Sequence, residues 1–329
     1  MSRKRRISLI SLGGTISMTP QPEGGVVPSL SADDLLASVP GLRDVGVKLS
    51  AQSFRAVAGS AVTFGDLTEL AELITEQIAD GADGVVVTQG TDTIEETAFF
   101  LDMTVGCDAP IVVTGAMRAA SLAGADGPAN LLAAIQVAAS DEAAGQGVLV
   151  VFNDEVHAAR FVRKTHTTSP ATFVSGGFGP LGQVVEGKPR LLRIAERVPN
   201  VPIGGKLAKR KVAVIPMGVG DDGELLRRAS GGFAGLVVAA MGVGHVPDAV
   251  LEILFEQVKS VPVVLASRTG SGPVLRWTYG FPGSERDLRD HGLIGAGFLD
   301  PYKARILLQL LVAADASRDE IVSTFAHFE

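Results

Sequence analysis

Short apolar runs alternate along the chain with longer stretches in which apolar residues recur every three or four positions. ISLISL (7–12), GVVVTQ (84–89), PIVVTG (110–115) and GVLVVF (147–152) are rich in Val and Ile and read as strands. Their unbroken apolar character suits a sheet covered on both faces. Between them, residues 66–80 place Leu67, Leu70, Leu73, Ile74 and Ile78 close to one helical face. Thr93 followed by Glu96 predicts a helix opened by a reciprocal capping box. Asp126 with Pro128 predicts another helix start, with Asp126 as the cap. Strands joined by helices in this order predict an α/β domain with largely parallel strands, ending near residue 185.

The stretch 186–210 has no sustained period and holds three prolines and three glycines, so it reads as a connector. Beyond it the alternation resumes: KVAVIPMG, GLVVAAMG and VPVVLAS as strands; DGELLRRAS, DAVLEILFEQV, PYKARILLQLLVAA and DEIVSTFAHF as helices. The predicted organisation is two α/β domains, a large N-terminal open sheet (1–185) and a smaller C-terminal parallel sheet (211–329), joined by the connector 186–210. No repeat of 20 to 50 residues is apparent.

Composition narrows the function classes. A chain of 329 residues, 46% apolar and 20% charged, is expected to fold into about two well-buried domains. Its net charge of -7 argues against a nucleic-acid partner, which a basic stripe would attract. RKRR at 3–6 is the one basic cluster, read as a solvated flank rather than a polyanion contact. No long uncharged apolar run suggests a membrane span, and the first strand continues into GGTISMTP without a secretory cleavage boundary; a cytoplasmic location is expected. The single cysteine, Cys107, reads as an inert thiol at a helix-to-strand junction. One cysteine and five histidines, His157 and His166 among them, form no metal-ligand spacing, so neither metal nor cofactor is expected.

The candidate chemistry sits where strands end. LGGT follows the first strand, yet it is not the G-x-G-x-x-G of a dinucleotide site, and neither a P-loop lysine nor a G-x-S-x-G elbow is present there. Gly13 and Gly14 let the backbone turn closely and leave Thr15 at the carboxyl end of a strand, the usual mouth of an open α/β sheet. Gly90, Thr91 and Asp92 repeat the design after the strand at 84–89. Taken singly, Thr15 reads as a turn residue, Asp92 as a turn acceptor, and Lys164 as half of a surface basic pair with Arg163.

Taken together, LGGTIS, TQGTDTIEETAFFLD, VVTGAMRAASLAGADGPANL, GVLVVFNDEVHAAR and RKTHTTSPATFVSGGFGPLG resemble the bacterial-type L-asparaginases and their glutaminase-asparaginase relatives. The similarity runs on to GFLDPYKARILLQL and so covers nearly the whole chain. It implies a homotetramer built from close dimers and hydrolysis of the side-chain amide of L-asparagine, with L-glutamine as the alternative substrate, without metal or organic cofactor. By this resemblance Thr15 matches the nucleophile, Thr91 the second active-site threonine, Asp92 the substrate-binding carboxylate and Lys164 the lysine that supports Thr91. Ser60 matches the contact to the substrate carboxylate, and Glu285 the acidic residue contributed across a close dimer. His245 stands where many relatives have asparagine and reads as a turn residue. Two departures follow: no tyrosine lies between Thr15 and Pro40, where relatives often carry a helper, and Ala61 replaces a substrate-binding glutamine.

Amide hydrolysis asks for an aimed nucleophile, proton transfer and donors where the oxyanion develops. Thr15 would form an acyl-enzyme that water opens, with Ser17, Thr19, a water or the substrate carboxylate standing in for the tyrosine. Lysine has an ordinary pKa of about 10.4, so Lys164 is either a base tuned by its surroundings or a fixed charge. The reading of a different class is a nonhydrolytic amino-acid binding protein, in which the same threonines serve only as hydrogen-bond donors.

Overall fold

The computed structural model of the chain describes residues 3–20, 26–28 and 30–329, in two compact units, 1–197 and 198–329. Residues 1, 2, 21–25 and 29 lie outside the described residues.

The first unit is built on β1 (Arg6–Gly13), with β2 (Met18–Pro20) and β3 (Val26–Pro28) paired as a separate ribbon after it. There follow β4 (Lys48–Val57), β5 (Gly84–Thr88), β6 (Ile111–Thr114), β7 (Val148–Phe152), β8 (Glu155–Ala158), the small pair β9 (Arg163–Lys164) and β10 (Phe173–Val174), β11 (Gly182–Val185) and β12 (Lys188–Leu191). Eight of these form one sheet in the order β12-β11-β8-β7-β6-β5-β1-β4. The strands from β7 to β4 run parallel, whereas β8, β11 and β12 extend the sheet antiparallel, so the sheet is mixed. Part of the stretch expected as a connector thus pairs as the edge strand β12.

The apolar runs sit at the sheet's centre as their composition requires. Ile7, Leu9, Val86, Val112 and Leu149 cluster with Leu35 of α1 (Ala32–Ala37) and with Ala134, Ile135 and Val137 of α4 (Gly127–Ala138). Val85, Val87 and Val113 alternate to the other face and are fully buried. There α2 (Phe64–Ala79) and α3 (Ile94–Thr104) pack on β5, β6 and β7. Burying each such aliphatic side chain is worth about 1.5–3 kcal/mol.

The second unit contains β13 (Val212–Pro216), β14 (Gly235–Ala240), β15 (Val263–Ser267) and β16 (Ile294–Gly295), all parallel and adjacent in chain order. Leu226 of α5 (Glu224–Ala229), Leu254 of α6 (Leu251–Val258) and Leu288 of α7 (Glu285–Asp290) join Ile215, Val238 and Leu265 in one core. α8 (Pro301–Ala313) lies against β13, β14 and β15, and α9 (Arg318–Ala326) against β16.

Two capping expectations are corrected. Thr93 is the residue before α3, but its side chain makes no cap hydrogen bond. Asp126 precedes α4 without capping it; its carboxylate instead accepts from the backbone N–H groups of Met117 (2.9 Å) and Arg118 (2.8 Å) and from Asn130 Nδ2 (3.2 Å). That carboxylate ties down the loop after β6, a tertiary contact that capping rules do not anticipate.

Candidate active site

The parallel part of the sheet changes direction at β1: the chain passes from β1 to β4 on one side and then to β5 on the other. Open α/β sheets bind ligands at the carboxyl ends of strands flanking such a point. Here the same construction occurs at the ends of all three strands. After β1 come Gly13 and Gly14 and a one-turn 3-10 helix, Thr15–Ser17; after β4, the 3-10 turn Gly59–Ala61; after β5, Gly90 and the 3-10 turn Thr91–Thr93. Each turn therefore sets a hydroxyl directly after a glycine: Thr15, Ser60 and Thr91.

The glycines are needed because the three turns touch backbone to backbone. A Cβ on Gly14 would lie 2.1 Å from Gly90 N, and one on Gly59 would lie 2.7 Å from Gly90 O. Gly13 and Gly14 also take φ values of 99° and 82°, which L side chains rarely adopt. Gly14 N–H donates to Val57 O at 3.1 Å, fastening the end of β1 to that of β4.

Thr91 is buried, at 6% exposure, while Asp92 beside it is exposed. Lys164, delivered by β9, donates from Nζ to Thr91 Oγ1 at 3.0 Å and to Asp92 Oδ1 at 2.9 Å. Its backbone N–H is held by the Glu95 carboxylate in the first turn of α3. Because Lys164 donates, the Thr91 oxygen accepts and the Thr91 proton is left for a ligand. Thr15 is half-buried, and no side chain among the described residues hydrogen-bonds its hydroxyl. Ser17, one expected stand-in for the tyrosine, is buried, and its hydroxyl donates to Gly14 O at 2.9 Å, so its proton holds the turn.

Glu285, in the other unit, is fully buried. Its Oε1 accepts from the N–H groups of Thr278 (3.0 Å) and Tyr279 (2.8 Å), and Oε2 lies 3.2 Å from His245 Nε2. His245 meets the edges of Tyr279 and Phe281, at ring-centroid distances of 4.9 Å, and keeps 24% of its side chain exposed. Contact with Glu285 makes His245 more than the turn residue expected from sequence.

His157 and His166 stand apart from this chemistry. The fully buried His157 pairs Nδ1 with Ser175 Oγ at 3.0 Å, and burial lowers its pKa to about 4 despite Glu155 3.3 Å away. His166 accepts the backbone N–H groups of Thr168 and Ser169. Among the described residues no group of three or more His, Cys, Asp or Glu is placed to hold a metal ion, and no helix is long and apolar enough to cross a membrane. The basic flank is met by acids, Arg3 by Asp83 and Arg5 by Asp141. Burial pushes the Cys107 thiol pKa up, as an inert thiol requires. Sequence reasoning did not single out Gln89 or Glu95: Gln89 Nε2 donates to Thr93 Oγ1 at 3.2 Å, Thr93 Oγ1 donates to Gly59 O at 2.8 Å between the turns after β5 and β4, and Glu95 accepts the Lys164 N–H.

Clustered hydroxyls, a lysine bound to one of them and an exposed carboxylate, set at the switch point of an α/β sheet, are a set of groups of the kind a hydrolase uses. Comparison with known proteins makes this specific. Residues 6–197 match the model of the asparaginase N-terminal domain, and residues 211–325 that of the glutaminase/asparaginase C-terminal domain. The chain is 40% identical over 324 residues to a probable L-asparaginase of Deinococcus radiodurans, covering 97% of each. It is 31% identical over 340 residues to a glutaminase-asparaginase of Acinetobacter glutaminasificans, covering 99% of this chain and 100% of that one. The crystal structure of a probable cytoplasmic L-asparaginase from Campylobacter jejuni superposes with a TM-score of 0.87 at 32% identity, over 98% of this chain and 99% of that one. The chain belongs to the bacterial-type L-asparaginase/glutaminase-asparaginase family of hydrolases.

Proposed function

We propose that this hydrolase converts L-asparagine to L-aspartate and ammonia through an ester on Thr15. The observation that carries the reading is the convergence of Thr15, Ser60 and Thr91 on three touching glycine turns, with Lys164 bonded to Thr91 and Asp92. Thr15 Oγ attacks the side-chain amide carbon, the C–N bond breaks, and the hydroxyl proton passes to the departing nitrogen as ammonia. Water then adds to the ester, the C–O bond to Thr15 breaks, and aspartate leaves with Thr15 restored. Thr91, whose oxygen accepts from Lys164, has its proton free to serve the leaving group or the oxyanion. Asp92 attracts the α-ammonium and Ser60 donates to the α-carboxylate.

Glu285 enters this reading as the acidic residue a close dimer brings to a neighbouring site, acting through the partly exposed His245. The assembly that follows is a homotetramer of close dimers in the cytoplasm. Ala61, exposed in the same turn as Ser60, offers no side-chain donor to the substrate. A pocket that gains or loses one methylene of substrate discriminates by only about 1–3 kcal/mol, which keeps glutamine as the second substrate.

The test is steady-state ammonia release from asparagine and glutamine by wild type, Thr15→Ala and Thr91→Val. Turnover should collapse in both variants while the fold survives. Unchanged turnover in both would remove the proposed chemistry, and tight asparagine binding without ammonia release from wild type would favour a binding protein. Similar specificity constants for the two amides would shift the assignment to a dual glutaminase-asparaginase.

A further inference from the structure

Among the described residues five helices begin with a Ser or Thr followed three residues on by an acid: three close the reciprocal capping box, Ser31 with Asp34, Thr63 with Asp66 and Ser317 with Glu320, and in α7 the Ser284 hydroxyl accepts the Asp287 N–H while the Asp287 carboxylate takes the Gly283 N–H instead. The fifth, α3, has Thr93 and Glu96 at the same spacing and makes no side-chain cap at all. The Thr93 hydroxyl turns away from its own helix and donates to Gly59 O at 2.8 Å, the carbonyl of the peptide that leads into Ser60. The same hydroxyl accepts from Gln89 Nε2 at 3.2 Å. Gln89 is fully buried, and its Oε1 has no hydrogen-bond partner among the described residues. Two residues on, the Glu95 carboxylate accepts the backbone N–H of Lys164, although the two stand 69 residues apart in sequence.

A sequence that gives up the side-chain cap at one helix while keeping it at the four others with the same spacing marks that helix as serving something outside itself. The 3-10 turn that leads into α3 contains Thr91 and Asp92. We infer that Thr93 and Glu95 are positioning residues, Thr93 fixing the Ser60 turn and Glu95 fixing Lys164, each relative to Thr91. The inference rests on the asparaginase reading for the roles of Ser60 and Lys164. The two residues act through different parts of the reaction. Ser60 holds the substrate's carboxylate in ground state and transition state alike, so loosening it weakens binding. Lys164 holds Thr91, which matters when the amide is breaking, so loosening it slows turnover.

The experiment compares Thr93→Val, Thr93→Ser, Glu95→Ala and Glu95→Gln in the full chain. It measures kcat and KM for asparagine, the dissociation constant of L-aspartate by calorimetry, and the thermal midpoint of each variant. Thr93→Val should raise KM and the aspartate dissociation constant about tenfold, the loss of one hydrogen bond's worth of positioning, with kcat within about twofold. Thr93→Ser, which keeps the hydroxyl, should restore both. Glu95→Ala should lower kcat about tenfold or more with KM within about twofold, and Glu95→Gln, which keeps an acceptor oxygen, should recover most of it. A purely structural role would instead lower the thermal midpoint with kcat and KM moving together, and serine or glutamine would rescue stability alone; that result overturns the inference. Wild-type kinetics in both Thr93→Val and Glu95→Ala would overturn it as well. A folded wild type that releases no ammonia would overturn the asparaginase reading itself. The aspartate affinities of Thr93→Val and Thr93→Ser would then decide the positioning of Ser60: a loss restored by serine supports it, and no loss overturns it.

Discussion

Gly90→Ala is the substitution that isolates the contact between strand ends from every other effect of a glycine. Gly90 has φ -67° and ψ 139°, a conformation alanine adopts freely, so the change carries no backbone strain. By itself it would stabilise the chain by about 0.4–1 kcal/mol through the unfolded state. The added methyl, however, would stand 2.6 Å from Gly59 N and 2.9 Å from Gly59 Cα, both backbone atoms, whereas ordinary contact begins at 3.4 Å. The Ser60 and Thr91 turns must therefore separate by somewhat under 1 Å. A misplacement of about 1 Å between groups that act on one substrate costs about 100-fold in rate, equivalent to about 2.7 kcal/mol of barrier. Ammonia release should show kcat/KM for asparagine falling by about that factor in a folded protein. Gly65→Ala is the control: it lies in α2, its methyl would meet only Thr63 Oγ1 at 3.5 Å, and it should leave activity unchanged while raising helix stability by about 0.5–1 kcal/mol. If Gly90→Ala kept wild-type kcat/KM, the close approach of the glycine turns would not be what sets the site's geometry.

Gly14→Ala faces both φ 82° and a methyl 2.1 Å from Gly90 N, so it should lower the denaturation midpoint as well as activity, by more than Gly90→Ala. Asp126→Ala releases the N–H groups of Met117 and Arg118 and should cost about 1 kcal/mol or somewhat more in denaturant titration, since the partly buried Met117 donor loses its acceptor while the exposed Arg118 donor turns to water. The folded His157 has a pKa near 4, below the ordinary 6.5, so the unfolded chain binds its proton first as pH falls. Its contribution is intact above about pH 6.5 and is lost toward pH 4, amounting to about 2 kcal/mol between pH 7 and pH 5; His157→Gln should show a shallower loss, and equal slopes would contradict a neutral buried ring. With its pKa raised by burial, Cys107 should react with a disulfide reagent more slowly in the native chain than after unfolding.

The parallel strands were legible because Val and Ile runs buried on both faces announce themselves, and the glycine-hydroxyl pairs at 14–15 and 90–91 marked the mouth of the sheet. β4 was not legible. Its residues are exposed or half-buried at the sheet edge, so KLSAQSFRAV carries no run of apolar side chains to read, and Ser60 was reached only by resemblance. The antiparallel extension was missed for a related reason: β8, β11 and β12 are four residues each, too short to show a period. Lys164 illustrates a different limit. Beside Arg163 it looks like surface charge, and only folding across 73 residues brings it to Thr91. The two failed caps, Thr93 and Asp126, share one cause. A local pattern states which backbone groups a side chain is able to satisfy, and a tertiary partner at hydrogen-bond distance displaced the local one in both.

The two threonines occupy equivalent places after equivalent glycines, and in the proposed mechanism their surroundings divide the labour between them. Thr91 is buried, its oxygen accepts from Lys164, and Lys164 is itself held by Glu95 and shared with Asp92. Such a hydroxyl has its oxygen committed to the lysine, which in the proposed mechanism leaves its proton for the substrate. Thr15 is more open, sits on two glycines with positive φ, and is engaged by no side chain among the described residues. In the proposed mechanism a hydroxyl that no side chain engages is the one left available to attack and to carry the ester. Under that mechanism, exchanging the two environments would defeat both roles, because a nucleophile that accepts from a lysine shares its lone pairs with the wrong partner, and a proton donor without a partner has no direction. The repeated strand-glycine-hydroxyl turn thus supplies position, while what packs behind each turn supplies function.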